Sequence, residues 1–268
     1  MKTIVITGST RGIGLGMAHE FLTRGCNVVI SGRSENSVQQ AVERLSADHP
    51  AERIFGQSCD VSDFAQVQNL WNAAAARFGR IDIWINNAAN NTPVQKPVWE
   101  QPVDALESVI ATNMLGVIYG SKAALAGMIA QGGGHLYNME GFGSGGEVTV
   151  GNAMYGTSKA GLRYLTTALI AETKNQPVKV SYLSPGMVTT DLLAQTVAPG
   201  RETQAKRIFN ILADKVETVT PWLVERILAN DKSGARIAWL TKPQIMMRFL
   251  MAPFRKRDVV GDLIRSKA

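Results

Sequence analysis

The sequence is poor in cysteine, histidine and aromatic residues, with two cysteines, three histidines and 7% Phe, Trp and Tyr among 268 residues. Cys26 and Cys59 stand outside any C-x-x-C, so free thiols in a reducing compartment are expected rather than a disulfide framework. His19, His49 and His135 lie far apart in sequence without metal-ligand spacing, and no metal site is expected. Long apolar runs are also missing. Ala123 to Ala130 is among the longest and is broken by Gly127, so no segment is expected to span a bilayer by itself. The opening MKTIVITGST passes straight into a strand pattern, and neither a signal peptide nor a transit peptide is expected. Charged residues are 19% and hydrophobic ones 45%, ordinary for a globular chain and wrong for a disordered one.

Acidic residues are scarce in one region only. Residues 1–200 hold 14 Lys/Arg against 15 Asp/Glu, a net of −1, while residues 201–268 hold 14 against 7, a net of +7. The basic excess sits wholly in the last quarter and points to an acidic or membrane-surface partner there. Nucleic acid is not expected as a partner, because the surplus is local and lacks interleaved stacking aromatics.

What is present alternates. Strand patterns at Thr3–Thr7, Asn27–Ser31, Arg53–Ser58, Ile81–Asn86, His135–Met139, Val178–Leu183 and Arg236–Leu240 are separated by helical patterns. Those helices begin after Gly12 and cover Glu35–Ala47, Ser62–Phe78, Val103–Gln131 and Met154–Lys174. Near-continuous apolar strands between helices of 10–20 residues predict an α/β fold, a single Rossmann-type doubly wound domain over 1–268 with a seven-stranded parallel sheet. Residues 192–268 are expected to supply substrate-side helices, the last strand and a C-terminal helical extension.

Between the first strand and the first helix stands Thr7-Gly8-Ser9-Thr10-Arg11-Gly12-Ile13-Gly14. Gly8 suits a tight turn, Gly12 close approach of a pyrophosphate, and Gly14 close packing of helix on strand. The second strand ends in Ser31-Gly32-Arg33-Ser34, where an NAD-specific site places an acid. Arg33, with Arg11 as a second cation, suits a 2′-phosphate, so the expected cofactor is NADPH/NADP+.

Tyr155 and Lys159 fall at i and i+4 on one helical face. A phenol is a poor acid at neutral pH, and a neighbouring ammonium makes its proton easier to deliver to a carbonyl oxygen. With the glycine loop, Cys59-Asp60-Val61, Asn86-Asn87-Ala88-Ala89, Asn113, Tyr155/Lys159 and Pro185-Gly186, the chain resembles the short-chain dehydrogenase/reductase superfamily over roughly residues 1–192. The resemblance implies Tyr155 as acid/base and Lys159 as the group that lowers its pKa and holds a ribose hydroxyl. Asn113 would keep a water relay to Lys159. Asp60 and Val61 would border the adenine, and Asn87 with Ala88 the adjoining ribose. Val188 and Thr190, after Pro185-Gly186, would meet the carboxamide of the nicotinamide. Dimers and tetramers are usual in such families, so a homo-oligomer is expected.

One departure stands out. The family's carbonyl-polarising Ser belongs about 13 residues before the Tyr, where this chain has Phe142. Ser144 is the nearest hydroxyl. It either takes that role through the Gly-rich loop or is a turn residue, leaving Tyr155 to work with Asn113 and Lys159 alone. Glu140 either borders the site or caps backbone groups. The segment 138–146, with 184–193, 208–211, 217–218, 233–237 and 240–245, is similar to the chlorophyll b reductases. That implies reduction of the 7-formyl group of chlorophyll b or chlorophyllide b. Another bulky carbonyl substrate (steroid, quinone or acyl thioester) and a non-catalytic NADPH- or pigment-binding scaffold are the alternatives. Residues 242–257 carry five cations and no acid, with Ile245, Met246, Phe249 and Leu250 on one helical face. An amphipathic basic helix suits peripheral contact with a membrane, and packing on protein is the other reading. A cytoplasmic location, peripheral to the inner face of a membrane, follows as the expectation.

Overall fold

Short aliphatic and β-branched runs, each ended by Gly, Asn or Ser, form strands whose side chains are covered on both faces. A computed structural model describes residues 1–93, 95–197, 200–255 and 257–261. The strands are β1 Thr3–Ile6, β2 Asn27–Gly32, β3 Ile54–Ser58, β4 Ile83–Asn86, β5 Gly134–Met139, β6 Val178–Ser184, β7 Met187–Val188, β8 Ala213–Asp214 and β9 Arg236–Ala238. The helices are α1 Gly12–Thr23, α2 Glu35–Ser46, α3 Phe64–Phe78, α4 Val103–Ile110, α5 Gly116–Ala130, α6 Ala153–Glu172, α7 Asp191–Ala194, α8 Glu202–Leu212, α9 Val216–Ala229 and α10 Lys242–Met251. Local chemistry sets several ends. The Asp63 carboxylate accepts from the N–H groups of Ala65 and Gln66 to start α3, and Gly79 at φ 77° stops it.

Seven strands make one parallel sheet in the order β3-β2-β1-β4-β5-β6-β9, as the alternating pattern predicts. Two apolar layers cover it. One joins Ile4, Ile6, Val28 and Ile30 to α1 and α9. The other joins Val5, Val29 and Trp84 to α3 and α5. Fully burying such side chains contributes roughly 1.5–3 kcal/mol each. The strand order reverses between β1 and β4, the switch point beside whose carboxyl ends open α/β sheets bind their ligands. A small second sheet pairs β7 with β8, an element the sequence pattern does not reveal.

The helices expected over 103–131 are α4 and α5, joined by a π-helical turn at Ala111–Leu115 with Asn113 inside it. Single π turns occur often at functional sites. The same continuous run, Val103–Ala130, is long and apolar enough by length and composition to cross a membrane, contrary to the sequence reading. Its α5 part packs on α3 and on the sheet as a core helix does.

The tail also differs. Half-buried Ile245, Arg248 and Met251 turn inward, where α10 meets α8. Arg248 reaches Asp214 at 2.8 Å, and Arg257 reaches the same carboxylate at 2.6 Å. Met246, Met247, Phe249, Leu250 and Phe254 therefore face out. The expected face of Ile245, Met246, Phe249 and Leu250 is broken because the Arg248–Asp214 pair sets the rotation of the helix. Lys256 and residues 262–268 of the expected tail lie outside the described residues.

Candidate active site

The glycine loop follows β1. Gly8 and Gly12 adopt φ of 62° and 56°, left-handed conformations that glycine takes without strain. A Cβ at Gly14 would stand 2.6 Å from the Gly8 carbonyl oxygen, so helix and loop touch. No side chain caps the start of α1, and its first N–H groups stay available for an anion. A dinucleotide fits this cradle.

Several predicted contacts have other work. Ser9 is fully buried; its hydroxyl donates to the Ile6 carbonyl at 2.7 Å and accepts from Ser31 N–H at 2.9 Å. It clamps the loop to β2. Thr10 lies over Gly32 at the end of β2, and Ile13 packs on the core. Asn87 donates to the carbonyls of Thr7 and Gly8, both at 2.9 Å, and Ala88 backs Gly8. These two shape the loop from behind. Thr7 accepts from the N–H groups of Asn87 and Ala88 at 3.0 and 3.1 Å, a role its place before the motif hides.

Arg33 is exposed beyond β2 and has no partner among the described residues. Ser34 caps α2 by accepting from Ser37 N–H at 3.1 Å. Arg11 does not join Arg33: it pairs with Asp191 at 3.2 Å, with both side chains exposed. The pull of that carboxylate across the loop explains the difference. Asp60 accepts from Ser62 N–H and its hydroxyl at 2.9 and 2.7 Å, and buried Val61 packs against Gly116. Beyond Pro185, Gly186 turns at φ 71° against Trp239 and Leu240. Val188 is buried, and Thr190 caps α7 while meeting Gly12.

Tyr155 and Lys159 rise from the first turns of α6. The Lys159 ammonium lies 5.7 Å from the centre of the Tyr155 ring and donates to the Met139 carbonyl at 3.2 Å. Burial pushes the Tyr155 phenol up to about 12 and the Lys159 ammonium down to about 8, with the Glu140 charge opposing the latter. The sequence argument expects the ammonium to lower the phenol. Here burial is the one cause of the shift, and the phenol stays protonated at neutral pH, as an acid must.

Asn113 is fully buried. Its Nδ2 donates to the Asn90 carbonyl at 3.0 Å and to Ser158 Oγ at 3.1 Å, and its Oδ1 accepts from Asn90 N–H at 2.9 Å. The amide ties the loop after β4 to α6 beside Lys159. Ser144 is buried too. Its hydroxyl accepts from Gly141 N–H at 3.1 Å and donates to the Lys159 carbonyl at 3.3 Å. It braces the loop against α6. Gly141 stands at the phenol: a Cβ there would lie 2.7 Å from Tyr155 Oη. Phe142 is partly exposed at the rim. A shallow open cleft beside Tyr155 is lined by Thr92, Lys96, Val98 and Met154 among others.

A phosphate cradle at the sheet's switch point, with a protonated phenol and an ammonium beside it, defines a nicotinamide-dependent oxidoreductase. The profile of the short chain dehydrogenase family matches residues 2–200. The chain belongs to that family. It is 38% identical over 271 residues to a probable chloroplastic chlorophyll(ide) b reductase of Oryza sativa, covering 95% of this chain and 53% of that protein. It is 42% identical over 236 residues to a chloroplastic chlorophyll(ide) b reductase of Arabidopsis thaliana, covering 87% of this chain and 67% of that one. The chain thus spans about half the length of the rice relative. An uncharacterised oxidoreductase of Staphylococcus aureus is 34% identical over 193 residues, covering 72% of this chain and 80% of its own. The fold matches a 7α-hydroxysteroid dehydrogenase with a TM-score of 0.76 at 22% identity, covering 88% and 92% of the two chains. It also matches a Caenorhabditis elegans short-chain dehydrogenase/reductase with a TM-score of 0.75 at 23% identity, covering 91% and 97%.

Proposed function

We propose that this chain is an NADPH-dependent reductase that turns the 7-formyl group of chlorophyll(ide) b into a hydroxymethyl group. The extent of its likeness to the plant reductases carries this reading. At 95% coverage the rice alignment runs past residue 200, where the family profile ends, into the C-terminal quarter. Exposed Val98, Trp99, Phe142, Val148 and Val150, on the segments around the Tyr155 cleft, suit a large apolar ring. Unpartnered Arg33 and the acid-free end of β2 support NADPH over NADH.

When bound, the nicotinamide supplies hydride to the formyl carbon. Tyr155 gives its phenolic proton to the formyl oxygen, so no free alkoxide accumulates. Lys159 stabilises the phenolate left behind, and Tyr155 regains a proton from solvent. Aldehyde, NADPH and one proton become alcohol and NADP+. Asn113 and Ser144 hold the frame in which these groups meet.

The outward apolar side chains of α10, beside Lys242 and Arg255, support contact with an anionic lipid surface. Flotation with anionic but not neutral vesicles is the expected result, and no flotation with either removes the lipid contact.

Incubation of the protein with chlorophyllide b and NADPH, followed by chromatography, tests the activity. The 7-hydroxymethyl product is expected, and its loss in Tyr155→Phe. No conversion by a protein that still binds NADPH overturns the substrate assignment.

A further inference from the structure

Glu140 directly follows β5, and nothing so far assigns it a task. It is 5% exposed. Its Oε2 accepts from Arg236 Nε at 2.7 Å, and its Oε1 has no hydrogen-bond partner among the described residues. Its N–H donates to the Leu183 carbonyl at 2.7 Å, which fixes the backbone on β6. Both of its chain neighbours touch Lys159. The ammonium donates to the Met139 carbonyl at 3.2 Å, and a Cβ on Gly141 would lie 3.1 Å from Lys159 Cε. Arg236, on β9, also donates to Ser184 Oγ at 3.2 Å, one residue before Pro185-Gly186.

We propose that Glu140 and Arg236 are positioning residues of the Tyr155–Lys159 pair. The buried Glu140 carboxylate keeps the Lys159 ammonium charged and in place, and Arg236 fixes that carboxylate while joining the ends of β5 and β6. This deepens the reductase reading and rests on it.

The physical need is plain. A desolvated ammonium loses its proton readily, and burial already brings Lys159 down to about 8 with Glu140 pulling the other way. Arg236 from β9 pairs with the Glu140 carboxylate, the Ser184 hydroxyl of β6 accepts from the same guanidinium, and Lys159 of α6 is near enough to feel the Glu140 charge without an ion pair to it. Arg236 satisfies one carboxylate oxygen, and the other has no hydrogen-bond partner among the described residues.

NMR of protein carrying lysine labelled at Cε reads this without any substrate. The Lys159 signal, identified by its loss in Lys159→Arg, is expected to titrate near pH 8 in the unaltered protein. In Glu140→Gln its midpoint falls by about one pH unit or more, and Glu140→Asp restores it. The double variant Glu140→Gln with Arg236→Met leaves no orphan charge to unfold the protein, and its midpoint falls likewise. In carbonyl reduction, the alkaline limb of kcat moves down by the same amount while NADPH affinity holds. An unmoved Lys159 midpoint in the folded double variant overturns the proposal. Failure to reduce the pigment would sink the substrate reading alone, because the lysine titration stands apart from it.

Discussion

Gly141 faces the Tyr155 hydroxyl so closely that a Cβ on it would lie 2.7 Å from Oη. The room in front of the phenol thus depends on a missing side chain. Gly141→Ala is expected to crowd the acid and Lys159, costing roughly 1–3 kcal/mol of stability. Turnover should fall by about 100-fold, since small misplacements of reacting groups cost that much. Steady-state rates with NADPH binding as control test it, and unchanged turnover would show that the space is not used.

Ser144 gives the opposite expectation. Its hydroxyl bonds backbone groups of Gly141 and Lys159. Ser144→Ala should cost about 1 kcal/mol of stability, because it leaves the half-buried Gly141 N–H without its partner. Turnover per folded molecule should be nearly kept. Denaturant melts beside rates normalised to folded protein separate the two effects. A loss of turnover as large as that of Tyr155→Phe, about 100-fold or more, would restore Ser144 as a catalytic group.

Arg33 is exposed beyond β2 without a partner among the described residues. Bonds to a charged group are worth about 1.5–3 kcal/mol, so Arg33→Ala should raise the KM for NADPH about 10- to 100-fold. The KM for NADH should stay nearly constant. Equal changes for both cofactors would remove the 2′-phosphate role. Arg11→Ala should do less, because Arg11 is held by Asp191.

His135 lies inside the sheet, its ring nitrogens 2.9 Å from Ser181 Oγ and 3.2 Å from Tyr137 Oη. Burial, with smaller help from Lys179 and Lys2, lowers its pKa to about 3 from an ordinary 6.5. The folded chain refuses a proton that the unfolded chain takes. Stability from this group is therefore full above about pH 6.5 and is lost progressively as pH falls towards 3. Between pH 7 and pH 5 the loss is about 2 kcal/mol. Urea midpoints at the two pH values should show it, and His135→Gln should flatten the dependence. An equal slope in the variant would place the acid sensitivity elsewhere.

The sequence by itself determined whatever depends on near neighbours. Aliphatic runs alternating with helical periods dictate the parallel sheet, glycines at 8, 12 and 14 dictate the loop, and i, i+4 spacing puts Tyr155 and Lys159 on one face. Each signal arises within a strand, a turn or one turn of helix, where backbone sterics and side-chain period act directly. The tertiary structure alone decided which partner each polar group takes. Arg236 reaches Glu140 across 96 residues because β6 lies between β5 and β9. His19 and His49, separate in sequence, come within 3.0 Å of each other. The burial of Asp214 turned α10 so that Arg248 points in and Met246 points out. The brace made by Ser144 follows from where α6 docks on the loop after β5. Such pairings answer the cost of burying charges and hydrogen-bonding groups, which arises only once distant segments pack together.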